Sequence, residues 1–99
     1  LAHIGQRYGD RIEARAEQGH MREVRQKDLE RLRHVCEGKS GDLLELVLPN
    51  YDELKWCGFT PIYTFMQAVK NARGNVMLYD QWNIDESSVV SFTAMEFGI

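Results

Sequence analysis

Two runs rich in β-branched and aromatic residues, Asn75–Trp82 and Ser88–Phe97, flank the polar stretch Asn83-Ile84-Asp85-Glu86-Ser87. Such side chains suit a pleated, half-buried surface, and the polar insert supplies turn chemistry, so this part of the chain reads as a β-hairpin. A lone hairpin is marginal in water and needs a further strand or a helix against one face. The remainder of the chain has to provide that cover.

Thr60-Pro61 is the sharpest local signal: a side chain able to cap a helix, then a proline whose missing N–H costs nothing at the first helical position. The helix it predicts buries Ile62, Phe65, Met66 and Val69 and stops at Gly74. Upstream, Met21, Val24, Leu29, Leu32, Val35 and Cys36 share one broad face of a helix over 21–36, supported by the oppositely charged pair Glu23 and Lys27 and ended by Gly38. Asp42–Leu48, bounded by Gly41 and Pro49, alternates so that Leu44, Leu46 and Leu48 face one way, and it reads as a strand. Leucine also favours helix, and Ser40 is placed to cap one. Pro49-Asn50-Tyr51-Asp52 then forms a turn. The assembled expectation is an α+β fold, a small mixed sheet with a β-α-β-β core and N-terminal helices packed on one face. The 42–48 strand and the strand after the helix would run parallel if adjacent.

In residues 1–18, Leu1, Ile4, Tyr8 and Ile12 recur at three- and four-residue spacing, which predicts a helix despite Gly5 and Gly9. Gly19-His20-Met21 is also the tripeptide that a cloning junction leaves. Residues 1–20 therefore read as an N-terminal helical segment open to three origins, a tag remnant, a fused peptide or an upstream piece of a longer natural protein, and 21–99 as a single α+β domain.

The 99 residues suffice for one core and not for two. A chain that is 43% hydrophobic and 27% charged should fold, and it has no apolar run near the ~18 residues of a membrane span. Residues 1–34 hold eight Lys/Arg against six Asp/Glu, and residues 35–99 hold four against nine. That small basic surplus is far short of what neutralising several phosphates needs, which argues against nucleic acid as a partner. Two cysteines fall below the usual disulfide framework of a small secreted domain, so an intracellular, cytoplasmic setting is expected.

Each chemical motif has a plainer explanation beside it. Gly38-Lys39-Ser40 matches the tail of a phosphate-binding loop, but Arg33 stands where the first glycine is required and a helix precedes it instead of a strand. Asp42 with Glu53-Leu54-Lys55 has the acid-x-lysine spacing of metal-dependent nucleases, yet Glu53 follows a turn instead of ending a rigid strand. Asp80, Asp85 and Glu86 surround the hairpin turn and could meet as a cation site or acid/base pair; turn chemistry explains the last two, and an edge-protecting charge explains Asp80. His34 and Cys36, two apart on a helix, point to nearly opposite sides. Neither cysteine nor histidine spacing suits zinc.

Nine of the ten aromatics lie after residue 50, which raises a stacking platform for single strands, but few cations interleave with them. Trp56 and Trp82 sit among polar neighbours at predicted loop or strand ends, the setting of interface anchors. The expectation is a small interaction or regulatory module without catalysis, cofactor or metal. It would bind a partner protein or itself through Ile4, Tyr8, Ile12, Trp56 and Trp82. Two alternatives are a nucleic-acid regulator using Arg22, Arg25, Arg31 and Arg33, and a small metal-dependent hydrolase using Asp80, Asp85 or Glu53.

Overall fold

The computed structural model of the protein describes residues 1–99. It is an α+β fold in the order β1 (His3–Gly5), α1 (His20–Cys36), α2 (Ser40–Val47), α3 (Phe59–Ala68), β2 (Arg73–Asn83) and β3 (Ser88–Gly98). The sheet order is β1-β3-β2 with both pairings antiparallel.

The hairpin forms as its composition predicts, with Asn83 opposite Val89 and Arg73 opposite Gly98, and one bulge between Val76 and Leu78. The helix over 21–36 also forms, and its buried residues Met21, Val24, Asp28, Arg31, Leu32 and Val35 return every three or four positions. Gly38 ends it at φ 70°: its N–H bonds the Val35 carbonyl and the Lys39 N–H bonds the His34 carbonyl, the paired closure of a Schellman motif. A Cβ at Gly38 would come within 2.5 Å of the Arg73 guanidinium.

Three local expectations are overturned. Asp42–Val47 lies in helix α2, with Leu48 as its C-cap, and not in a strand, because Leu43 and Val47, four apart, turn together into the core while the leucines favour helix. With that strand gone the sheet has no parallel pair. The third strand is β1, and the expected helix over 1–18 does not form. Gly5 explains why: at φ 123° its missing Cβ leaves room for the Ser87 carbonyl and for Ser88, so the chain turns hard against the hairpin. Residues 14–17 then run along the hairpin, with the Ala14 N–H on the Ser87 carbonyl and the Ala16 and Glu17 N–H groups on the side chains of Asn83 and Gln81. Ala2, Ile4 and Ala14 join the same core as Met21, Leu43 and Val89. Third, α3 starts at Phe59, two residues before the position Thr60-Pro61 predicts, with Gly58 as its N-cap and no side-chain cap, and it ends at Ala68. Gly74 is a strand residue instead, opposite Phe97, whose ring would lie 2.6 Å from an added Cβ.

Candidate functional site

Successive side chains on a strand point to opposite faces of the sheet. Tyr79 and Gln81 point toward α1, where the Tyr79 hydroxyl donates to Asp28 Oδ2 at 2.6 Å and Gln81 Nε2 donates to the Met21 carbonyl at 2.9 Å. Leu78, Asp80 and Trp82 therefore occupy the other face, together with their register partners Ala94, Phe92 and Val90. No helix covers that face. Trp82 is 60% exposed and Leu78 51% exposed, and the Trp82 ring stands edge-to-face on Phe92 with centroids 5.4 Å apart. Asp80 lies half-buried between them; its Oδ1 accepts the Gln81 N–H at 2.8 Å, which caps an outward-facing group of the β2 edge. His3, opposite Val90, extends the row, and Tyr8 meets the His3 ring edge-on at 5.1 Å.

The five residues expected to bind a partner separate into distinct environments. Trp82 is on the open face and Tyr8 is half-buried at its margin. Ile12 is exposed, but on the stretch between β1 and α1. Ile4 and Trp56 are corrections: at 2% and 4% exposure they are core residues, so neither reaches a partner. Ile4 turns inward because its strand pairs with β3 opposite Val89, and Trp56 is drawn in by its N–H, which donates to the buried Asp28. Leu78 and Phe92 belong to the open face but lie outside the expected binding set, although their alternation with Tyr79 and Ser91 carries the signal.

The titratable groups proposed for chemistry do not meet. Asp85 accepts the Ser87 N–H in the hairpin turn, a bond that holds its carboxyl below the usual range, and pairs with Arg7 at 3.8 Å. Glu53 pairs with Lys27 at 2.7 Å, which lowers its carboxyl in the same way. Burial, together with the neighbouring Glu37 charge, raises the Cys36 thiol, the wrong direction for a nucleophile. No group of three or more His, Cys, Asp or Glu side chains is placed to hold a metal ion. The four arginines of the 21–36 helix do not make a shared basic face. Arg31 is buried against Asp52 at 2.9 Å and over the Trp56 ring, Arg25 pairs with Glu17 and lies over Tyr79, Arg33 pairs with Glu37, and Arg22 bonds the Glu17 carbonyl.

Of three surface hollows, the apolar one is an open groove of about 330 Å³ between α3 and the far end of β3, lined by Val35, Pro61, Ile62, Phe65, Met95 and Phe97. No helix is long and apolar enough to cross a membrane. Compared with protein-family models, with curated proteins and with solved structures, the chain matches none.

Proposed function

We propose that the protein is a small intracellular interaction or regulatory module without catalysis, binding a partner protein or a second copy of itself through the outer face of its sheet. The observation that carries this is the uncovered Trp82, seated on Phe92 and flanked by Leu78, Val90 and Ala94. A large aromatic held in place by a neighbour and left in water is the usual anchor of a protein interface, and contiguous exposed apolar surface on a small domain marks a binding site. The acidic side chains near it serve the fold: Asp80 caps a strand edge and Asp85 a turn. Two unpaired cysteines agree with a reducing compartment.

The test is site-specific photo-crosslinking in cells. A crosslinker at Leu78 should trap a protein adduct, one at the fully exposed Tyr51 should not, and Trp82→Ala should abolish the Leu78 adduct. Equal trapping at both positions, or none at Leu78, sinks the reading.

A further inference from the structure

The outer sheet face carries a charge pattern that specifies its occupant. Among the strand residues on that face, the acids are Asp80 on β2 and Glu96 on β3, the latter opposite Asn75 and next to Phe97, whose ring turns to the α3 side. Neither carboxylate has an ion-pair partner, whereas Asp10, Glu17, Glu37, Asp52, Glu53 and Asp85 each have a cation within 4 Å. Asp80 spends only Oδ1, on the Gln81 N–H. The one strand cation, Arg73, lies at the far end and has its Nη1 turned onto the carbonyls of Lys70 and Ala72. The face thus offers apolar and aromatic contact with two carboxylates that have no cation within ion-pair distance, His3 standing at one end of the row and Arg73 lining the same hollow as Glu96 at the other.

We propose, resting on the reading above, that the partner segment is an extended basic peptide. One Lys or Arg sits beside Asp80 with its cationic head against the Trp82 ring. A second lies beside Glu96, and an apolar side chain between them packs on Leu78 and Ala94. A cation beside both a carboxylate and a tryptophan face gains from ion pairing and from the ring quadrupole. Asp80 stands opposite Phe92, and Glu96 is four residues farther along β3, which at about 3.3 Å per residue is about 13 Å. An extended partner spans that distance with basic residues four apart and its apolar residue midway, both spacings being even and so on one face of a strand. The acids reject a phosphate backbone, which excludes a nucleic acid from the same surface.

The experiment titrates the intact protein with three 12-residue synthetic peptides that differ only at positions i and i+4, carrying Lys, Gln or Glu, with Leu at i+2. Trp82 fluorescence and calorimetry report binding. The Lys peptide should bind most tightly and the Glu peptide least, and raising salt from low to high concentration should weaken only the first. Asp80→Asn and Glu96→Gln should each weaken the Lys peptide by about 2- to 5-fold, the worth of one exposed pair, and leave the Gln peptide unchanged. Two results would overturn the inference: equal binding of the Lys and Gln peptides, or Lys-peptide binding indifferent to both carboxylate variants. No binding by any peptide while the Leu78 crosslinker still traps a protein also overturns it, leaving the face as an interface for a different partner. Loss of the Leu78 adduct would instead remove the functional reading itself.

Discussion

Trp56 Nε1 donates a hydrogen bond of 2.7 Å to Asp28 Oδ1 inside the protein, and this one bond joins α1 to the loop before α3. The other carboxylate oxygen accepts from the Tyr79 hydroxyl and the Ser91 hydroxyl, both at 2.6 Å, so Asp28 ties α1 to β2 and β3 as well. A carboxylate sealed from solvent is tolerable only when hydrogen-bonded, and here three donors, one on Oδ1 and two on Oδ2, occupy most of its acceptor sites. Asp28→Leu leaves all three donors without an acceptor, each costing about 1–3 kcal/mol, so the urea-unfolding midpoint should fall by several kcal/mol equivalent. Trp56→Phe, which removes one donor to a charged group and leaves a smaller ring in the core, should cost at least about 1.5–3 kcal/mol. A midpoint unchanged in Asp28→Leu would show that the network contributes nothing to stability.

Tyr79 gives the same network a pH signature. Burial, reinforced by its bond to Asp28, pushes the phenol well above its ordinary range. The unfolded chain loses that proton near pH 10 and the folded chain does not, so the unfolded state binds fewer protons above pH 10. The contribution of Tyr79 is therefore fully present below about pH 10 and is lost as the pH rises beyond it. In a spectrophotometric titration, the phenolate signal of Tyr79, identified as the signal that Tyr79→Phe removes, should appear only with alkaline unfolding. A Tyr79 phenolate formed near pH 10 in the folded protein would contradict the assignment.

What could be read in the sequence follows how local each determinant is. The hairpin, the helix near Thr60-Pro61 and the stop at Gly38 rest on residues within a few positions of one another; the hairpin and the stop are where the sequence places them, and α3 forms there but begins two residues early, capped by Gly58 instead of Thr60. Asp42–Leu48 satisfies a two-residue and a four-residue period at once, and only packing of Leu43 and Val47 under α1 decides for helix. His3–Gly5 is too short for any periodic signal and is a strand because the edge of β3 receives it. The two tryptophans show the same limit at the candidate site. Both have polar neighbours in sequence, and what separates them is Asp28, distant in the chain, which buries Trp56, while Trp82 alternates away from Gln81 to the open face.

Arg31 and Asp52 pin the loop that carries Trp56. Arg31 Nη2 lies 2.9 Å from Asp52 Oδ1 with side chains only 5% and 12% exposed, and the guanidinium carbon sits 5.2 Å from the Trp56 ring centroid. Asp52 in turn accepts the N–H groups of Leu54 and Trp56 within a stretch where Asn50, Tyr51, Asp52 and Lys55 all have positive φ. Removing one partner of a buried pair costs about 3–5 kcal/mol, because the other charge is stranded. Arg31→Met should show a loss of that size in chemical denaturation. The double variant Arg31→Met with Asp52→Asn should lose less than the two singles added together, since no unpaired charge remains; strict additivity would mean that the pair does not couple.

The contrast between the two tryptophans makes the exposed face measurable without knowing its partner. Trp56 is packed in the core and Trp82 stands in solvent, so iodide or acrylamide should quench only part of the fluorescence. Trp82→Phe should leave a blue-shifted emission that quenchers scarcely reach. A surface aromatic away from the core changes stability by no more than about 0.5 kcal/mol when replaced, so Trp82→Ala should unfold at nearly the native midpoint while losing its partner. That separation of stability from binding is what an interface residue requires. A Trp82→Ala protein that unfolds several kcal/mol early would place the residue in the folding core and take away the anchor on which the functional reading stands.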